Sequence, residues 1–311
     1  MENELIYNTD TSCLPSISVI IPAYNAEKYI ERCLKCITNQ NYPKEKMEII
    51  VVDNNSSDNT AHIIKSFDVR YIFNEIKGPS ASRNMGITQA NGEYIIFTDS
   101  DCLADNNFVL NHVKAHLYFK KNNPNVKLVG GGIGGFNKNF WAVCDDFCSW
   151  AAHHPGLKSQ LGRSHFPSAN ISIPTKLVEE IGVFNEELQI GEDIEYCLRI
   201  ENKGYKMYFE PKAKVLHINR ETFSEFMGHG KSWAKFVVEN RNRNIYDTSK
   251  IKRLLTLILN YIVSILTVIA CGVAVKRFYV ILFIPFIILY KTYFTYYRLK
   301  SIREFQQCKI N

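Results

Sequence analysis

The sequence predicts an α/β protein with a mostly parallel sheet flanked by helices, followed by an apolar helical hairpin near the C-terminus. Four short apolar runs fit buried strands and occur at residues 17–21, 47–52, 69–73 and 94–98. Segments with helical spacing separate them, over residues 27–39, 57–67 and 80–90. Strands that alternate with helices at this spacing form βαβ units, and therefore a parallel sheet.

Further elements are predicted along the middle of the chain. Helices are expected over 105–119, 140–152, 177–182, 192–203 and 223–240, and strands over 126–135, 206–209 and 213–216. The first of these strands contains Gly130, Gly132 and Gly135 at the spacing of a dinucleotide-binding loop. Its mid-chain position, and the lack of an acidic residue at the required distance, exclude NAD. The glycines instead predict a strand whose backbone bends or is approached closely.

Composition and charge exclude several classes of protein. The chain has 311 residues and a net charge of +6, but its lysines and arginines are dispersed over the first two thirds, unlike the basic stripe of a nucleic-acid-binding protein. Nine irregularly spaced cysteines predict free thiols in a reducing compartment. The first 14 residues include acids and no apolar run, so no signal peptide is expected and the main body is predicted to remain in the cytosol.

Two apolar segments after residue 250 predict a membrane hairpin. Residues 254–275 have no charge and, as a helix, are long enough to cross a bilayer core about 30 Å thick. Residues 278–290, interrupted by Pro285, could span, lie at the interface or pack as a soluble helix. Basic residues flank the pair on both outer sides, which predicts cytosolic ends. The predicted division is a tail (1–15), an α/β domain (16–245) and a membrane-associated helical region (246–311).

Carboxylates follow the predicted parallel strands, at the edge where open α/β sheets bind ligands. Asp99 and Asp101 lie on one side of an extended backbone, a spacing that suits a divalent cation with a bound diphosphate, or else a helix cap and turn. Asp53 ends a neighbouring strand and can accept a hydrogen bond from a base or ribose. Lys77 and Arg83 lie on the segment leading to the same crevice and can hold phosphate oxygens.

A second acidic pair, Glu192 and Asp193, begins a predicted helix further along the chain. One of these residues could serve as a base, and simple helix capping is the alternative. A carboxylate at a helix N-terminus is favoured as the anion, so Asp193 is predicted to be ready to accept a proton.

Four ordered segments resemble a known family. They read SVIIPAYN from Ser18, IIVVDNNSSDNT at 49–60, GPSASRNMGITQANGEYIIFTDSD at 78–101 and GVFNEELQIGEDIEYCLRIENKGY at 182–205. These segments resemble the motifs of the family 2 glycosyltransferases, and the resemblance covers about residues 16–240. It implies a GT-A fold and an inverting transfer of a sugar from a nucleotide sugar, with UDP as the expected nucleotide.

The resemblance also implies roles for matching residues around the donor. Asp53 would bind the uracil, in a base pocket lined by Pro22 and Tyr24. Asp99 would contact the nucleoside, and Arg83 would face the donor. The full predicted donor-binding set is Pro22, Tyr24, Asp53, Lys77, Arg83 and Asp99.

The remaining implied roles concern the acceptor and a metal ion. Asp193 would be the general base that takes the proton of the acceptor hydroxyl. Asn170 and Glu192 would contact the acceptor. Asp101 would hold Mg²⁺ or Mn²⁺, which neutralises charge on the leaving diphosphate. His217 stands where many members have a further metal ligand, and a structural histidine is the alternative.

The predicted function is therefore metal-dependent glycosyl transfer from a UDP-sugar to an acceptor hydroxyl, at the cytoplasmic side of the cell membrane. The acceptor is expected to be lipid-linked or an envelope glycan, in envelope, exopolysaccharide or glycolipid synthesis, and no nucleic acid is expected to bind. The Q-x-x-R-W motif of processive members is missing, and GHGKSW at 228–233 stands near its expected place, which favours single addition.

Two other functions are alternatives to this one. The chain could be a non-catalytic, membrane-anchored subunit that binds a nucleotide sugar or acts as a scaffold, but intact acids in all four motifs argue against it. A sugar nucleotidyltransferase would need a glycine-rich loop with an arginine after the first strand, and that loop is absent.

Overall fold

The computed structural model describes residues 14–188, 190–240 and 250–307. The chain divides into two compact units. The sheet unit combines the residues up to Phe136 with Lys158–Ile218, and the helical unit combines Asn137–Leu157 with the residues from Asn219 onward. The sequence-based division assigned 137–157 and 219–240 to the α/β domain, whereas in the structure they group with the C-terminal helices.

The predicted helices and strands are largely present, with shifted ends. The strands are β1 (Ile17–Ala23), β2 (Met47–Asp53), β3 (Arg70–Phe73), β4 (Tyr94–Thr98), β5 (Cys102–Ala104), β6 (Val126–Gly135), β7 (Gln160–Leu161), β8 (Asn170–Pro174) and β9 (Lys206–His217). The helices are α1 (Ile30–Thr38), α2 (Thr60–Lys65), α3 (Pro79–Gln89), α4 (Phe108–Asn122), α5 (Phe140–Trp150), α6 (Leu177–Ile181), α7 (Glu192–Asn202), α8 (Phe223–Asn240), α9 (Lys250–Ala274) and α10 (Ile284–Gln307). Short 3₁₀ helices occupy Lys44–Lys46, Ala151–His153 and Phe278–Phe283.

The sheet unit contains one mixed sheet with the strand order β3-β2-β1-β4-β8-β6-β9-β5, and β7 pairs with β9. Its first four strands are parallel, which confirms the βαβ prediction. Strand β8, which the sequence pattern did not reveal, lies antiparallel between β4 and β6. Strand β9 replaces the two short strands predicted at 206–209 and 213–216, because its pairing with β6 continues across an irregularity.

The parallel strands form the centre of the unit and bring its polar strand ends together. All five residues of β4 are buried, as are most of β1 and β2, as expected for strands covered by helices on both faces. In the register of β1 and β2, Ala23 lies beside Asp53. Because parallel strands end at the same edge, the segments that follow β1, β2 and β4 meet there.

The glycine run of β6 has the structural role that its sequence predicts. A Cβ atom at Gly130 would lie 2.0 Å from the Phe166 ring, and one at Gly131 would lie 2.0 Å from the carbonyl oxygen of Ala213. Real Cβ atoms do not make such contacts, so only glycine allows these neighbours to approach. The prediction of a closely approached backbone is confirmed.

The helical unit contains α5, α8, α9 and α10. Phe147 of α5, Val268 of α9 and Ile287 of α10 share one buried apolar cluster. Phe226 of α8 stacks on Tyr290 of α10, with ring centroids 4.7 Å apart. In the part of the chain that the structure describes, no helix is both long enough and apolar enough to cross a membrane. The predicted membrane spans are therefore not confirmed.

Candidate active site

A cleft of about 500 Å³ opens in the sheet unit where β1 and β4 end and α3 begins. It is lined by Pro22, Ala23, Tyr24, Asn54, Lys77, Gly78, Pro79, Ser82, Arg83, Asp99, Ser100 and Asp101. Five of the six predicted donor-binding residues and one predicted metal ligand thus share one cleft. The sixth, Asp53, is buried next to it.

The first turn of α3 lies at the wall of this cleft. Gly78 precedes the helix with φ of 130°, a value that favours glycine, and Pro79 stands in the first turn, where its missing N–H is not needed. The Asn54 side chain secures this turn: Oδ1 accepts from the Gly78 N–H at 2.8 Å, and Nδ2 donates to the Ile76 carbonyl at 2.6 Å. Free N–H groups at a helix N-terminus attract anions, so this wall suits phosphate.

Asp53 has only 1% of its surface exposed, and its carboxylate is already hydrogen-bonded. The Tyr71 hydroxyl donates to Oδ2 at 2.9 Å, and the Ser56 N–H donates to Oδ1 at 3.1 Å. Burial, together with the bond to Asp53, raises the pKa of Tyr71 to about 12. Neither Tyr71 nor Asn54 was among the site residues predicted from the sequence. The predicted contact of Asp53 with uracil stays a prediction.

Arg83 joins the cleft to the second acidic pair. Its side chain is 4% exposed, and its two terminal nitrogens donate to Asp99 Oδ1 at 2.7 Å and to Glu192 Oε1 at 2.8 Å. Burial acts to lower the pKa of the guanidinium, but the carboxylates of Asp99 and Glu192 outweigh it and raise the pKa. The forked geometry of arginine allows one side chain to hold both acids.

The acidic pair begins α7, directly after Gly191, whose φ of 76° again favours glycine. Ser168 contacts both acids: its Oγ donates to Glu192 Oε1 at 3.3 Å, and its N–H donates to Asp193 Oδ2 at 3.3 Å. The Ile194 N–H donates to Asp193 Oδ1 at 2.7 Å. These bonds direct both carboxylates toward the same small region of the sheet unit.

The protonation of this pair differs from the expectation for a helix N-terminus. Burial raises the pKa of Glu192 to about 7, partly opposed by Arg83 and reinforced by the charge of Asp193. Burial also raises the pKa of Asp193, although two backbone hydrogen bonds act to lower it. The helix N-terminus stabilises negative charge, but removal of the two carboxylates from solvent destabilises it more. Near neutral pH the pair therefore readily holds a proton.

Asp101 and His217 lie together at the end of the sheet. Asp101 Oδ2 is 3.4 Å from His217 Nε2, and the Ile218 N–H donates to the Asp101 carbonyl at 2.9 Å. A carboxylate and an imidazole are both suitable ligands for Mn²⁺, so the two residues fit the predicted metal. Among the described residues no group of three or more His, Cys, Asp or Glu side chains could hold a metal by itself. A cation held by only these two side chains would need substrate phosphate and water as its other ligands.

Asn170 is fully buried, away from the lining of the cleft. Its amide nitrogen donates to the carbonyls of Gly132 and Ala213, each at 2.9 Å, and its amide oxygen is 2.8 Å from His112 Nε2. The predicted contact of Asn170 with the acceptor stays a prediction. Ser168, two residues earlier, is the member of this segment that contacts the acids.

Comparisons with known proteins agree with this geometry. Residues 18–142 match the family model described as glycosyl transferase family 2. Residues 94–297, about two thirds of the chain, match that of glycosyl transferase family group 2. The chain belongs to the family 2 glycosyltransferases.

Two curated relatives of this glycosyltransferase are archaeal. Glycosyltransferase AglE of Haloferax volcanii is 32% identical over 206 residues, which are 64% of this chain and 66% of AglE. Dolichyl N-acetyl-alpha-D-glucosaminyl phosphate 3-beta-D-2,3-diacetamido-2,3-dideoxy-beta-D-glucuronosyltransferase of Methanococcus voltae is 29% identical over 222 residues, 68% of this chain and 69% of that protein. The glycosyltransferase therefore matches about two thirds of the length of these relatives.

A solved structure supports the GT-A fold of this glycosyltransferase. Mannosyltransferase PcManGT from Pyrobaculum calidifontis, solved in complex with GDP-Man and Mn²⁺, superimposes with a TM-score of 0.64. The match covers 94% of this chain and 88% of that one, at 19% sequence identity. At that identity the likeness shows the fold alone.

Proposed function

We propose that this protein transfers a sugar, with inversion, from a UDP-sugar to a hydroxyl of a lipid-linked or envelope acceptor, assisted by a divalent cation. The observation that carries the proposal is the position of Arg83, which bonds Asp99 in the cleft and Glu192 beside Asp193. Asp99, on the side proposed to bind the nucleotide, is thus connected through Arg83 to Glu192, which is next to the proposed base. The Methanococcus voltae relative, named for a dolichyl-linked acceptor, supports the acceptor class.

The cleft supplies separate surfaces for the parts of a donor. Tyr24 is 57% exposed beside Pro22, and an exposed aromatic ring next to a proline suits the face of a base. The first turn of α3 and the exposed Lys77 suit the two phosphates. The donor would therefore lie along the carboxyl ends of the strands, as ligands do in open α/β sheets.

Asp193 acts as the base in this proposal. It takes the proton of the acceptor hydroxyl while the oxygen attacks the anomeric carbon opposite the leaving diphosphate, which inverts the configuration. Its bonds to the N–H groups of Ser168 and Ile194 orient the carboxylate. Glu192 stays paired with Arg83 and Ser168 next to the base.

Asp101 and His217 would hold the cation, which neutralises charge on the leaving diphosphate when bound. Replacing Asp101 with Asn is expected to remove the gain in UDP affinity that Mn²⁺ provides, since a neutral amide is a weak ligand for a hard cation. Calorimetric titration of UDP with Mn²⁺ and with EDTA measures this gain. Asp105→Asn is the matched control, because Asp105 pairs with Lys214 at 3.1 Å and lies outside the cleft lining. Equal UDP affinity with and without Mn²⁺ in the wild type contradicts the metal site.

The raised pKa of the acidic pair predicts the pH dependence of the reaction. The base acts in its deprotonated form, so kcat/KM should rise as the pH increases. This acidic limb of the profile should lie at a higher pH than the ordinary pKa of an aspartate. Replacing Glu192 with Gln removes a neighbouring negative charge and should move this limb to lower pH. Profiles of kcat/KM between about pH 5 and 9 measure the shift. A limb at the same pH in both proteins contradicts the coupling of the two acids.

The function itself is tested by nucleotide release. The full chain is incubated with Mn²⁺, a panel of UDP- and GDP-sugars, and a polyprenyl-phosphate-linked sugar as acceptor. Release of UDP that requires both the acceptor and Mn²⁺ is the expected result. Donor binding without release, for every acceptor supplied, favours the non-catalytic binding subunit instead. Release from GDP-sugars alone contradicts the UDP donor.

We also propose that the protein works at the cytoplasmic side of the cell membrane. Support comes from α9, which exposes an apolar stripe at Ile258, Leu259, Ile262, Val263 and Leu266. Apolar residues at this helical spacing suit contact with lipid. Recovery of the protein in the membrane fraction, released by detergent and retained in high salt, is the expected result; recovery in the supernatant contradicts it.

A further inference from the structure

Four buried polar side chains form a continuous hydrogen-bonded chain inside the sheet unit. This buried relay consists of His116, Ser172, His112 and Asn170, none more than 4% exposed. His116 Nε2 lies 2.8 Å from Ser172 Oγ, and Ser172 Oγ lies 2.8 Å from His112 Nδ1. His112 Nε2 lies 2.8 Å from Asn170 Oδ1. Buried polar groups are costly unless they are bonded, so a chain of four in one core calls for an explanation.

The direction of the bonds at Asn170 follows from its two carbonyl partners. The carbonyl oxygens of Gly132 and Ala213 can only accept, so the Asn170 nitrogen must face both of them. The Asn170 oxygen therefore faces His112, and His112 Nε2 must donate to it. All hydrogen-bonding groups of the Asn170 amide are used in this arrangement.

The rest of the relay has the same direction. Burial lowers the pKa of His112 to about 4 and that of His116 to about 3, so both rings are neutral at pH 7. A neutral His112 protonated at Nε2 has a free lone pair at Nδ1, which accepts from the Ser172 hydroxyl. The Ser172 oxygen then accepts from His116 Nε2. Every donor points from His116 toward Asn170.

The relay ends where the sheet is interrupted. The register of β6 and β9 shifts between Gly131 and Gly132, and Asn170 bonds the carbonyls of Gly132 and Ala213 at that point. A Cβ atom at Gly131 would lie 2.3 Å from the Asn170 oxygen. The side chain of Asn170 thus connects its own strand, β8, to β6 and β9 at the irregularity.

The same residue closes the turn that contacts the acids. The Asn170 N–H donates to the Pro167 carbonyl at 3.1 Å, which closes a turn containing Ser168. The Ser168 N–H and hydroxyl donate to Asp193 and Glu192, respectively. Two residues of backbone therefore separate Asn170 from the Ser168 groups that bond the acids.

We propose that the buried relay is a positioning device for the base: by orienting Asn170, it holds the turn that fixes the Asp193 carboxylate. This inference rests on the proposed glycosyl transfer with Asp193 as base. His112 is the decisive member, because its Nε2 bonds the Asn170 side chain directly from helix α4. The four residues act through Asp193 and do not themselves contact the reacting atoms.

Two substitutions at one position separate positioning from general stability. In His112→Gln the amide nitrogen can take the position of Nε2 and still donate to Asn170. In His112→Asn the shorter amide reaches only the position of Nδ1, so the bond to Asn170 is lost. His116→Gln is a second conservative variant within the relay, since its amide nitrogen retains the donor to Ser172 from the same helix. We expect His112→Asn to lower kcat by about 10- to 100-fold with donor KM unchanged within about twofold, because a small misplacement of a catalytic group is costly. His112→Gln and His116→Gln should stay within about threefold of the wild type.

Hydrogen exchange gives a second readout that does not need activity. Peptides covering residues 166–172 should exchange faster in His112→Asn than in His112→Gln, with both proteins folded by thermal melting. Equal kcat and equal exchange in the two His112 variants overturn the proposal. A loss of kcat in all three variants, in proportion to the fall in their melting temperatures, also overturns it. If the wild type transfers no sugar, the proposed function fails, and the exchange comparison still decides whether the relay anchors the turn.

Discussion

Replacing Asp193 with Asn should lower kcat by about 10³-fold while leaving the Kd for UDP and Mn²⁺ within about threefold of the wild type. The amide has the shape of the carboxylate but cannot take the proton of the acceptor hydroxyl. Asp193 lies outside the lining of the cleft proposed to bind the donor, which is why donor binding should persist. Single-turnover transfer and calorimetric UDP titration measure the two quantities separately.

The control for this substitution is Glu195→Gln on the same helix. Glu195 forms a partly exposed ion pair with Arg199 at 2.7 Å, so its loss tests whether any damage to α7 slows the reaction. Exposed pairs of this kind contribute at most about 0.5 kcal/mol to a helix. Turnover at the wild-type rate by folded Asp193→Asn would show that the base has been assigned to the wrong residue.

Replacing Arg83 with Met should have the largest effect on stability, a loss of about 3 to 5 kcal/mol in the free energy of unfolding at pH 8. Arg83 is the buried counter-charge of both Asp99 and Glu192, and the apolar side chain leaves two carboxylates uncompensated. Arg83→Lys keeps the positive charge, but its ammonium group cannot bond both acids as the forked guanidinium does. We therefore expect an intermediate loss in the free energy of unfolding. Urea denaturation of the three proteins measures these differences.

The loss in Arg83→Met should also depend on pH. Arg83 acts to lower the pKa of Glu192, which burial raises to about 7, so removing the arginine raises that pKa further. Below this pKa Glu192 takes up a proton and needs no counter-charge, so the loss should be smaller at pH 6 than at pH 8. Lys120→Met, which removes an exposed pair with Glu93, is the control and should cost less than about 1 kcal/mol at both pH values. An equal loss in both variants contradicts the role of Arg83 as a buried counter-charge.

Two features of the fold depend on contacts between segments that are distant in sequence. The sequence pattern did not predict β8, because that short strand is stabilised by antiparallel pairing with β4 and β6, two strands from other parts of the chain. The hydropathy of the segments near the C-terminus does not specify which of their apolar residues pack on each other. Val268 and Ile287 are buried against Phe147, far away in sequence.

The sequence by itself determined the βαβ order, the strand ends that carry Asp53, Asp99 and Asp101, and the acids that begin α7. These are local properties, because side-chain period, turn residues and motif spacing act within a few positions. Only the tertiary structure decided that Arg83 bonds Glu192, 109 positions away, and that Asn170 is fastened inside the sheet. It also decided that burial outweighs the helix end and raises the pKa of both Glu192 and Asp193, since solvent exclusion depends on residues from the whole unit.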